Sequence, residues 1–239
     1  MRVINTNNTK SIVKNALEEY RNNELIFISK VYHEKLENII KEMNFYKIIQ
    51  RMCDSGELVK ASKGVYYKPQ KSKYGIVPLP EETIIQSFTK NEKGTIVGYK
   101  LYNLLNLTTQ IAKNVEIYSS AIDQVTKSIQ SVKIIKKNLN FNKKNTEIIQ
   151  MLEVLDNFNE IQDLNYSVFI DYCDSFIQKV DSNYICEIID SVSYPKRTIS
   201  FLKEILEFHN VPNELGKYLS TMSVYKHPTM EEIYEFARE

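Results

Sequence analysis

Glycine is the residue whose scarcity most restricts the folds open to this chain. Only six of the 239 residues are glycine, whereas an average protein has about 7%. Sheets with many tight hairpins need glycine for positive backbone φ angles, and loops that wrap nucleotide phosphates need it for close backbone approach. The sequence therefore predicts an α+β, mostly helical protein with a few short strands. It disfavours an all-β fold and a nucleotide-binding α/β fold.

The distribution of charge divides the chain into three regions. Residues 1–73 carry 14 basic and 8 acidic side chains, and residues 74–145 carry 10 and 5. Residues 146–239 carry 7 basic and 17 acidic side chains, so a net charge of +1 conceals a basic first half and an acidic last third. Such asymmetry indicates a nucleic-acid surface in the basic part. Part of the lysine content also reflects a chain that is rich in Lys, Ile and Asn throughout.

Several classes of protein are disfavoured by what the sequence lacks. Its longest uncharged stretch, residues 101–112, has twelve residues, and a membrane-spanning helix needs about 20. The first ten residues lack the apolar region of a signal peptide. The three cysteines form no CxxC pair, which argues against a disulfide scaffold or a structural zinc site. We expect a cytoplasmic protein with no membrane partner, metal or other cofactor.

The first 73 residues have the pattern of a winged helix-turn-helix domain. Apolar spacing predicts helices over residues 10–22, 29–38 and 43–54, with Ser29 as an N-cap and a short strand over residues 25–28. Gly56 follows the third helix, as glycine often does. Residues 58–68 then read as strand, turn and strand, with Gly64 in the turn. Three helices followed by a hairpin predict DNA binding through the third helix and the hairpin, or wing.

The third helix and the wing supply the candidate DNA-binding side chains. Phe45 and Ile48 share the apolar face of that helix, and polar residues share the opposite face. Side chains on this polar face suit base edges and phosphates in a major groove, and the wing lysines suit backbone contacts. The candidates are Asn44, Lys47, Arg51, Lys60, Lys63, Lys68 and Tyr66, with Tyr67 as the alternative to Tyr66. A solvated helix face, or a winged helix that binds protein, is the other interpretation.

The rest of the chain, residues 74–239, is predicted to be an effector domain in two parts. Residues 74–145 form a mixed α/β part, with helices over 81–89 and 98–105, a strand over 115–118 and a hairpin over 126–135. Residues 146–239 form an acidic helical part, with helices over 146–157, 166–180, 183–191, 197–208 and 230–237. Thr229 is the predicted N-cap of the last of these helices.

Three phrases of the sequence are similar to the motifs of one known family. GELVKASKGVYYKP (residues 56–69) is similar to the family's wing, which ends G-[IV]-Y-Y-x-P. Leu105–Gln110 is similar to its L-x-L-[ST]-T-Q phrase, and Tyr194–Glu207 to its Y-P-x-R helical segment. In these three phrases the chain resembles the AbiEi-type antitoxins, and the likeness extends over residues 25–208. The family's wing is usually richer in Arg, whereas this one carries Lys, which cannot make a guanidinium's bidentate contacts.

The resemblance implies a function in phage defence. A protein of this kind would repress its own operon by binding duplex DNA at its operator. The operator would contain repeated sequences. It would also act as the antitoxin of a type IV toxin–antitoxin pair, whose toxin is a nucleotidyltransferase that the antitoxin need not bind directly. The winged helix would handle the DNA, and residues 74–239 the antitoxin function.

Enzymatic functions have little support in the sequence. HExxH, P-loop, GxGxxG and GxSxG motifs are all missing, and so is the nucleotidyltransferase pattern. Asp171 and Asp174 lie three residues apart on one helical turn, a spacing that suits a metal-binding pair but is far more common on solvated helix faces. The cysteines are expected in the core. A nuclease would need a carboxylate cluster with a lysine that the sequence does not place. The remaining alternative is a ligand-sensing winged-helix transcription factor without a toxin partner.

Overall fold

The computed structural model describes residues 6–238 and shows a mixed α+β fold. The chain divides into two compact units. The first runs to Ser87 and takes in residues 128–130, and the second comprises Phe88–Lys127 and the chain from Ser131 onward. The first unit thus continues past residue 73, the predicted end of the DNA-binding domain. No helix within residues 6–238 is long and apolar enough to cross a membrane.

Three helical segments form the core of the first unit. They are α1 (Thr6–Leu17), α2 (Ile28–Val31), which continues as a wider turn over Tyr32–Leu36, and α3 (Glu42–Asp54). Their buried apolar side chains pack into one cluster that includes Val13, Leu17, Val31, Leu36, Phe45, Ile49 and Met52. The Tyr32 hydroxyl donates a hydrogen bond of 3.1 Å to the Ile40 carbonyl.

Two details of this region differ from the sequence prediction. Helix α1 ends at Leu17, although a helix was predicted over residues 10–22. Ser29 lies inside α2 and does not cap it, because the helix begins at Ile28 after the extended residue Phe27. The predicted strand over residues 25–28 is shortened to β1 (Ile26–Phe27) for the same reason.

A small antiparallel sheet and a separate hairpin follow the helices. Strands β2 (Val59–Ser62) and β3 (Val65–Tyr67) form the predicted hairpin, and β3 also pairs with β1. Gly64 has a φ of 74° in the connecting turn, a conformation that glycine adopts without strain. A second hairpin, β4 (Lys71–Ser72) and β5 (Gly75–Ile76), lies where the sequence predicted only a polar end to the domain. Helix α4 (Glu81–Thr89) comes next.

The second unit begins with a sheet. Its strands β6 (Gly94–Val97), β7 (Val115–Ser119) and β9 (Val132–Lys136) are neighbours in that order. Strand β8 (Thr126–Ile129) crosses the boundary between the units, because its residues 128 and 129 are counted with the first unit. β6 pairs with β7 antiparallel, and β7 pairs with β9 parallel in the register Val115 to Val132. Strand β6 was not predicted, and Gly98, placed in a helix by the sequence, instead precedes α5 (Tyr99–Leu104) with a φ of 65°.

Helices make up the remainder of the second unit. They are α6 (Lys143–Asp156), α7 (Tyr166–Ile177), α8 (Ser182–Ser191), α9 (Lys196–Phe208) and α10 (Met230–Phe236). Within their shared core the Phe158 ring lies 5.0 Å from Phe169 and 5.2 Å from Phe201, both edge-to-face. Thr229 caps α10 in a reciprocal capping box with Glu232, which confirms that predicted cap.

Candidate nucleic-acid interface

Helix α3 separates its apolar and polar side chains cleanly. Phe45, Ile49 and Met52 are buried against the core. The predicted candidates Asn44, Lys47 and Arg51 are all exposed on the same helix. Because these three positions are three and four residues apart, they fall on one face of the helix. The structure thus places the helical part of the candidate set together and open to solvent.

The basic residues of this face have no acidic partner within residues 6–238. Neither Lys47 nor Arg51 forms an ion pair with any residue that the structure describes. The nearby carboxylate of Asp54 accepts a hydrogen bond of 2.9 Å from Gln50 instead. The two cations are therefore available to an external anion.

Apolar side chains that the sequence analysis did not select also lie open on α3. Met43 is 70% exposed and Tyr46 is 39% exposed. They line a shallow groove with Glu42, Lys47 and Gln50. Exposed apolar groups beside amide and cationic groups offer both packing and hydrogen bonding to a partner surface. The sequence does indicate these residues, because Met43 and Tyr46 are apolar but do not share the face of α3 that Phe45 and Ile49 bury.

The β2–β3 hairpin keeps two of its three candidate lysines on the surface. Lys60 and Lys63 are exposed. Tyr66 is half-buried near Tyr46 and Cys53 of α3, and this burial raises the pKa of its hydroxyl. Tyr67 is only 4% exposed, which leaves little of its side chain on the surface for a phosphate contact. Cys53, expected in the core, is only partly buried.

Lys68 has a different place from the one the sequence suggested. Its ammonium donates a hydrogen bond of 2.9 Å to the backbone carbonyl of Tyr20, and its own carbonyl accepts 2.8 Å from the Asn23 amide. Lys68 also forms an isolated β-bridge with Asn22. The side chain is half-buried and serves the framework of the unit. Its ammonium is already engaged, and the set of outward wing cations is reduced to Lys60 and Lys63.

An ion-pair cluster fixes the turn between α3 and the wing. Glu57 accepts hydrogen bonds from Lys14, at 2.8 Å, and from Lys10, at 3.0 Å. These two bonds lower the pKa of Glu57 to about 2, with Lys14 as the larger cause. The cluster joins α1 to the segment that leads into β2, so it bears on the position of the wing relative to α3.

The β4–β5 hairpin is a further exposed feature that the sequence pattern does not predict. Lys71, Lys73 and Tyr74 are all on the surface, and Tyr74 is 87% exposed. The Lys73 ammonium lies 4.9 Å from the centroid of the Tyr74 ring. A run of lysines without acidic residues was visible in the sequence, but two-residue strands give no alternation from which to predict a hairpin.

Two phrases of the second unit, Leu105–Gln110 and Tyr194–Glu207, make internal contacts through Thr108 and Tyr194. The hydroxyl of Thr108 donates a hydrogen bond of 2.6 Å to the Gln162 carbonyl. The hydroxyl of Tyr194 donates a hydrogen bond of 3.2 Å to the carboxyl of Glu153. Burial raises the pKa of this carboxyl. These side chains hold loops and helices together. Thr108 and Tyr194 thus have structural roles, and neither lines an open site among the residues that the structure describes.

Metal-ligating side chains do not converge anywhere in the described part of the chain. Within residues 6–238 no group of three His, Cys, Asp or Glu side chains is arranged to hold a metal ion. Asp174, one of the two aspartates considered for a metal, lies 3.6 Å from His209.

Comparisons with known proteins give a family match and a distant structural likeness. A family model described as "Family of unknown function (DUF6088)" matches residues 7–169. No curated protein matches the sequence. Among solved structures, the crystal structure of the RV2827C protein from Mycobacterium tuberculosis is similar with a TM-score of 0.45 and 10% sequence identity. That match covers 95% of this chain and 85% of the mycobacterial one.

Proposed function

This chain belongs to the DUF6088 family, and we propose that it binds duplex DNA through a winged helix-turn-helix in its first unit. The observation that carries the proposal is the exposed face of α3. Asn44, Lys47 and Arg51 lie together on it, and the two cations have no ion-pair partner among the described residues. Helix α3 is the recognition helix of this proposal, and β2–β3 is its wing.

The side chains of α3 suit readout in a major groove. An arginine donates two parallel hydrogen bonds to guanine, and an asparagine pairs with the edge of adenine. Arg51 and Asn44 are the residues for these two tasks, while Lys47 meets either a guanine or a phosphate. The exposed Met43 side chain offers an apolar contact for a thymine methyl group.

The wing contributes affinity and little sequence discrimination. Lys60 and Lys63 lie exposed on β2 and in its turn, where ammonium groups can meet phosphate oxygens. A lysine acts as a point charge and lacks the planar fork of arginine. Contacts of this kind fix the protein on the duplex without reading its bases.

We further propose that the protein is a cytoplasmic autorepressor and the antitoxin of a type IV pair. This part of the proposal rests on the likeness of the wing, of Leu105–Gln110 and of Tyr194–Glu207 to AbiEi-type antitoxins. The partner is a nucleotidyltransferase toxin, and the antitoxin function belongs to the part of the chain that follows the DNA-binding unit. No catalytic role is proposed for this chain.

The DNA-binding proposal is tested by an anisotropy titration. The full chain is titrated with the DNA upstream of its own start codon and with an unrelated duplex, at several salt concentrations. Preferential binding to the upstream DNA is expected, and neutralisation of about five phosphates predicts a log–log salt slope near −4.5. Equal weak binding to both duplexes would reject the autorepressor, and lack of binding to either would reject the DNA-binding function.

The antitoxin proposal is tested separately in cells. A full-length variant with Lys47→Ala and Arg51→Ala is co-expressed with the nucleotidyltransferase encoded beside the gene. We expect repression to be lost while protection from the toxin is kept, because the two functions use different parts of the chain. If toxin expression is harmless without this protein, or if the wild-type chain gives no protection, the antitoxin proposal is wrong.

A further inference from the structure

We infer that the β4–β5 hairpin is a second arm that binds the phosphate backbone of duplex DNA, in addition to α3 and the wing. The inference rests on the proposed DNA-binding function and extends it to residues that the winged helix does not use. Lys71, Lys73 and the hydroxyl of Tyr74 are the groups that make the contacts.

Charge is the first observation that supports this arm. From Leu58 to Pro80 the sequence contains five lysines and no acidic residue. Lys71 and Lys73 are exposed and form no ion pair with any residue between 6 and 238. By contrast, Lys10 and Lys14 of α1 form ion pairs with Glu57. The hairpin thus offers two free cations to an external polyanion.

The exposed tip is the second observation. Tyr74 is 87% exposed at the turn, where its ring stabilises no core. The Lys73 ammonium lies 4.9 Å from the ring centroid, so a cation and a phenol hydroxyl are presented together. Tyrosine hydroxyls and lysine ammonium groups are both common donors to DNA phosphates.

The base of the hairpin is fixed to the body of the first unit. The backbone N–H of Gln70 donates a hydrogen bond of 3.3 Å to the side-chain oxygen of Asn23. The side-chain amide of Asn23 donates a hydrogen bond of 3.4 Å to the side-chain oxygen of Gln70. At the base of the hairpin the backbone N–H of Val77 donates a hydrogen bond of 2.8 Å to the Gln70 carbonyl. A two-stranded hairpin is only marginally stable by itself. These anchors therefore hold the lysines in a defined place beyond the β2–β3 wing along the chain.

The turn itself is ordered by a serine. The Ser72 hydroxyl donates a hydrogen bond of 3.2 Å to the Gly75 carbonyl, and it accepts a hydrogen bond of 3.2 Å from the backbone N–H of Tyr74. Gly75 has a φ of 116°, which a side chain would disfavour. The tip is therefore shaped by local bonds that involve neither lysine, and both lysines can be replaced without dismantling it.

The test compares salt slopes. A Lys71→Gln/Lys73→Gln variant of the full chain is titrated with the upstream DNA and with the unrelated duplex. Loss of two phosphate contacts predicts a slope that is shallower by about 1.8, and a loss of affinity on the order of tenfold to a hundredfold at about 0.1 M salt. The loss should be similar on both duplexes, because phosphate contacts carry no sequence information.

A matched variant controls for net charge. Lys179→Gln/Lys217→Gln removes the same two charges from the second unit, at positions that bind Ser175 and Glu214, and should leave the slope unchanged. If the hairpin variant behaves like this control while the wild-type chain binds DNA, the inference about the hairpin is wrong and the winged helix stands. If the wild-type chain binds neither duplex, the proposed function fails first and the inference with it.

Tyr74 provides an independent readout. Tyr74→Phe removes only the hydroxyl and should weaken binding to both duplexes several-fold without changing the salt slope, because no charge is lost. Tyr74→Ala should weaken binding to a similar extent. Wild-type affinity for Tyr74→Phe together with weak binding for Tyr74→Ala would overturn the assigned hydroxyl–phosphate contact in favour of a ring contact.

Discussion

The ammonium of Lys14 lies 2.8 Å from the carboxylate of Glu57, and this ion pair joins α1 to the turn between α3 and the wing. Lys10 binds the other oxygen of the same carboxylate at 3.0 Å. Both lysines are on the helix that precedes the proposed DNA-binding elements. The pairing therefore engages both lysines within the first unit and joins α1 to the segment that leads into β2.

Removal of the Glu57 charge should destabilise the first unit. Glu57→Gln is expected to lower the free energy of unfolding by about 1 kcal/mol at pH 7, since two partly exposed ion pairs are lost. Chemical denaturation of wild type and variant measures the difference. Glu34→Gln is the matched control, because its exposed carboxylate lies 3.7 Å from Lys30 and should contribute less. Equal losses for the two variants would contradict the role given to Glu57.

The same ion pairs predict a pH dependence with a definite sign. The pKa of Glu57 is about 2 in the folded protein and 4.5 as its ordinary value. Its stabilising contribution is therefore present above about pH 4.5 and is lost as the pH falls towards 2. The stability difference between wild type and Glu57→Gln should shrink over this interval. A difference that stays constant from pH 6 to pH 2.5 would rule out the ion pairs as its cause.

Under the proposed function, substitution of the two exposed cations of α3 should abolish specific DNA binding without loss of fold. Lys47→Ala/Arg51→Ala removes two base or phosphate contacts, each worth about 1–3 kcal/mol. Affinity for the upstream DNA should fall thirtyfold or more, while circular dichroism and the melting temperature stay unchanged because both side chains are exposed. Lys179→Ala/Lys217→Ala, with the same loss of charge, should keep specific binding. Unchanged affinity for the α3 variant would refute the assignment of α3.

The sequence allowed prediction of those features that depend on local periodicity. The amphipathic pattern of α3 predicted both its buried residue Phe45 and its exposed residue Arg51, and the N-cap preference for Thr predicted the cap at Thr229. Lys68 could not be placed in this way, because its partner is a backbone carbonyl 48 residues away. A long side chain can reach inward or outward, and only the tertiary structure decides which.

Lys68 and Lys60 should therefore respond differently to the same substitution. Lys68→Ala leaves the Tyr20 carbonyl without its donor and should lower stability by about 1 kcal/mol. Lys60→Ala should leave stability unchanged and weaken DNA binding on both duplexes by the loss of one phosphate contact. Denaturation curves and anisotropy titrations of the two variants measure both effects. A Lys60→Ala protein that melts early while Lys68→Ala does not would reverse these roles.

The buried carboxyl of Glu153 predicts an opposite pH dependence in the second unit. Burial raises its pKa, and the Tyr194 hydroxyl donates to it at 3.2 Å. A carboxyl whose pKa is raised in the folded state stabilises the fold while it is protonated, and this contribution is lost as the pH rises above about 4.5, the ordinary pKa of a glutamate. Glu153→Gln keeps an acceptor for Tyr194 without the charge. It should equal or exceed wild-type stability at pH 7.

The comparison of two substitutions separates charge from hydrogen bonding at this position. Glu153→Ala leaves the Tyr194 hydroxyl unsatisfied in the interior and should cost about 1–3 kcal/mol at any pH. The advantage of Glu153→Gln over wild type should decrease as the pH is lowered towards 4, because the wild-type carboxyl then becomes neutral as well. Denaturant midpoints between pH 4 and pH 8 test this. A Glu153→Gln variant that is less stable than wild type at pH 7, with the gap narrowing at low pH, would show that the ionised carboxylate stabilises the fold.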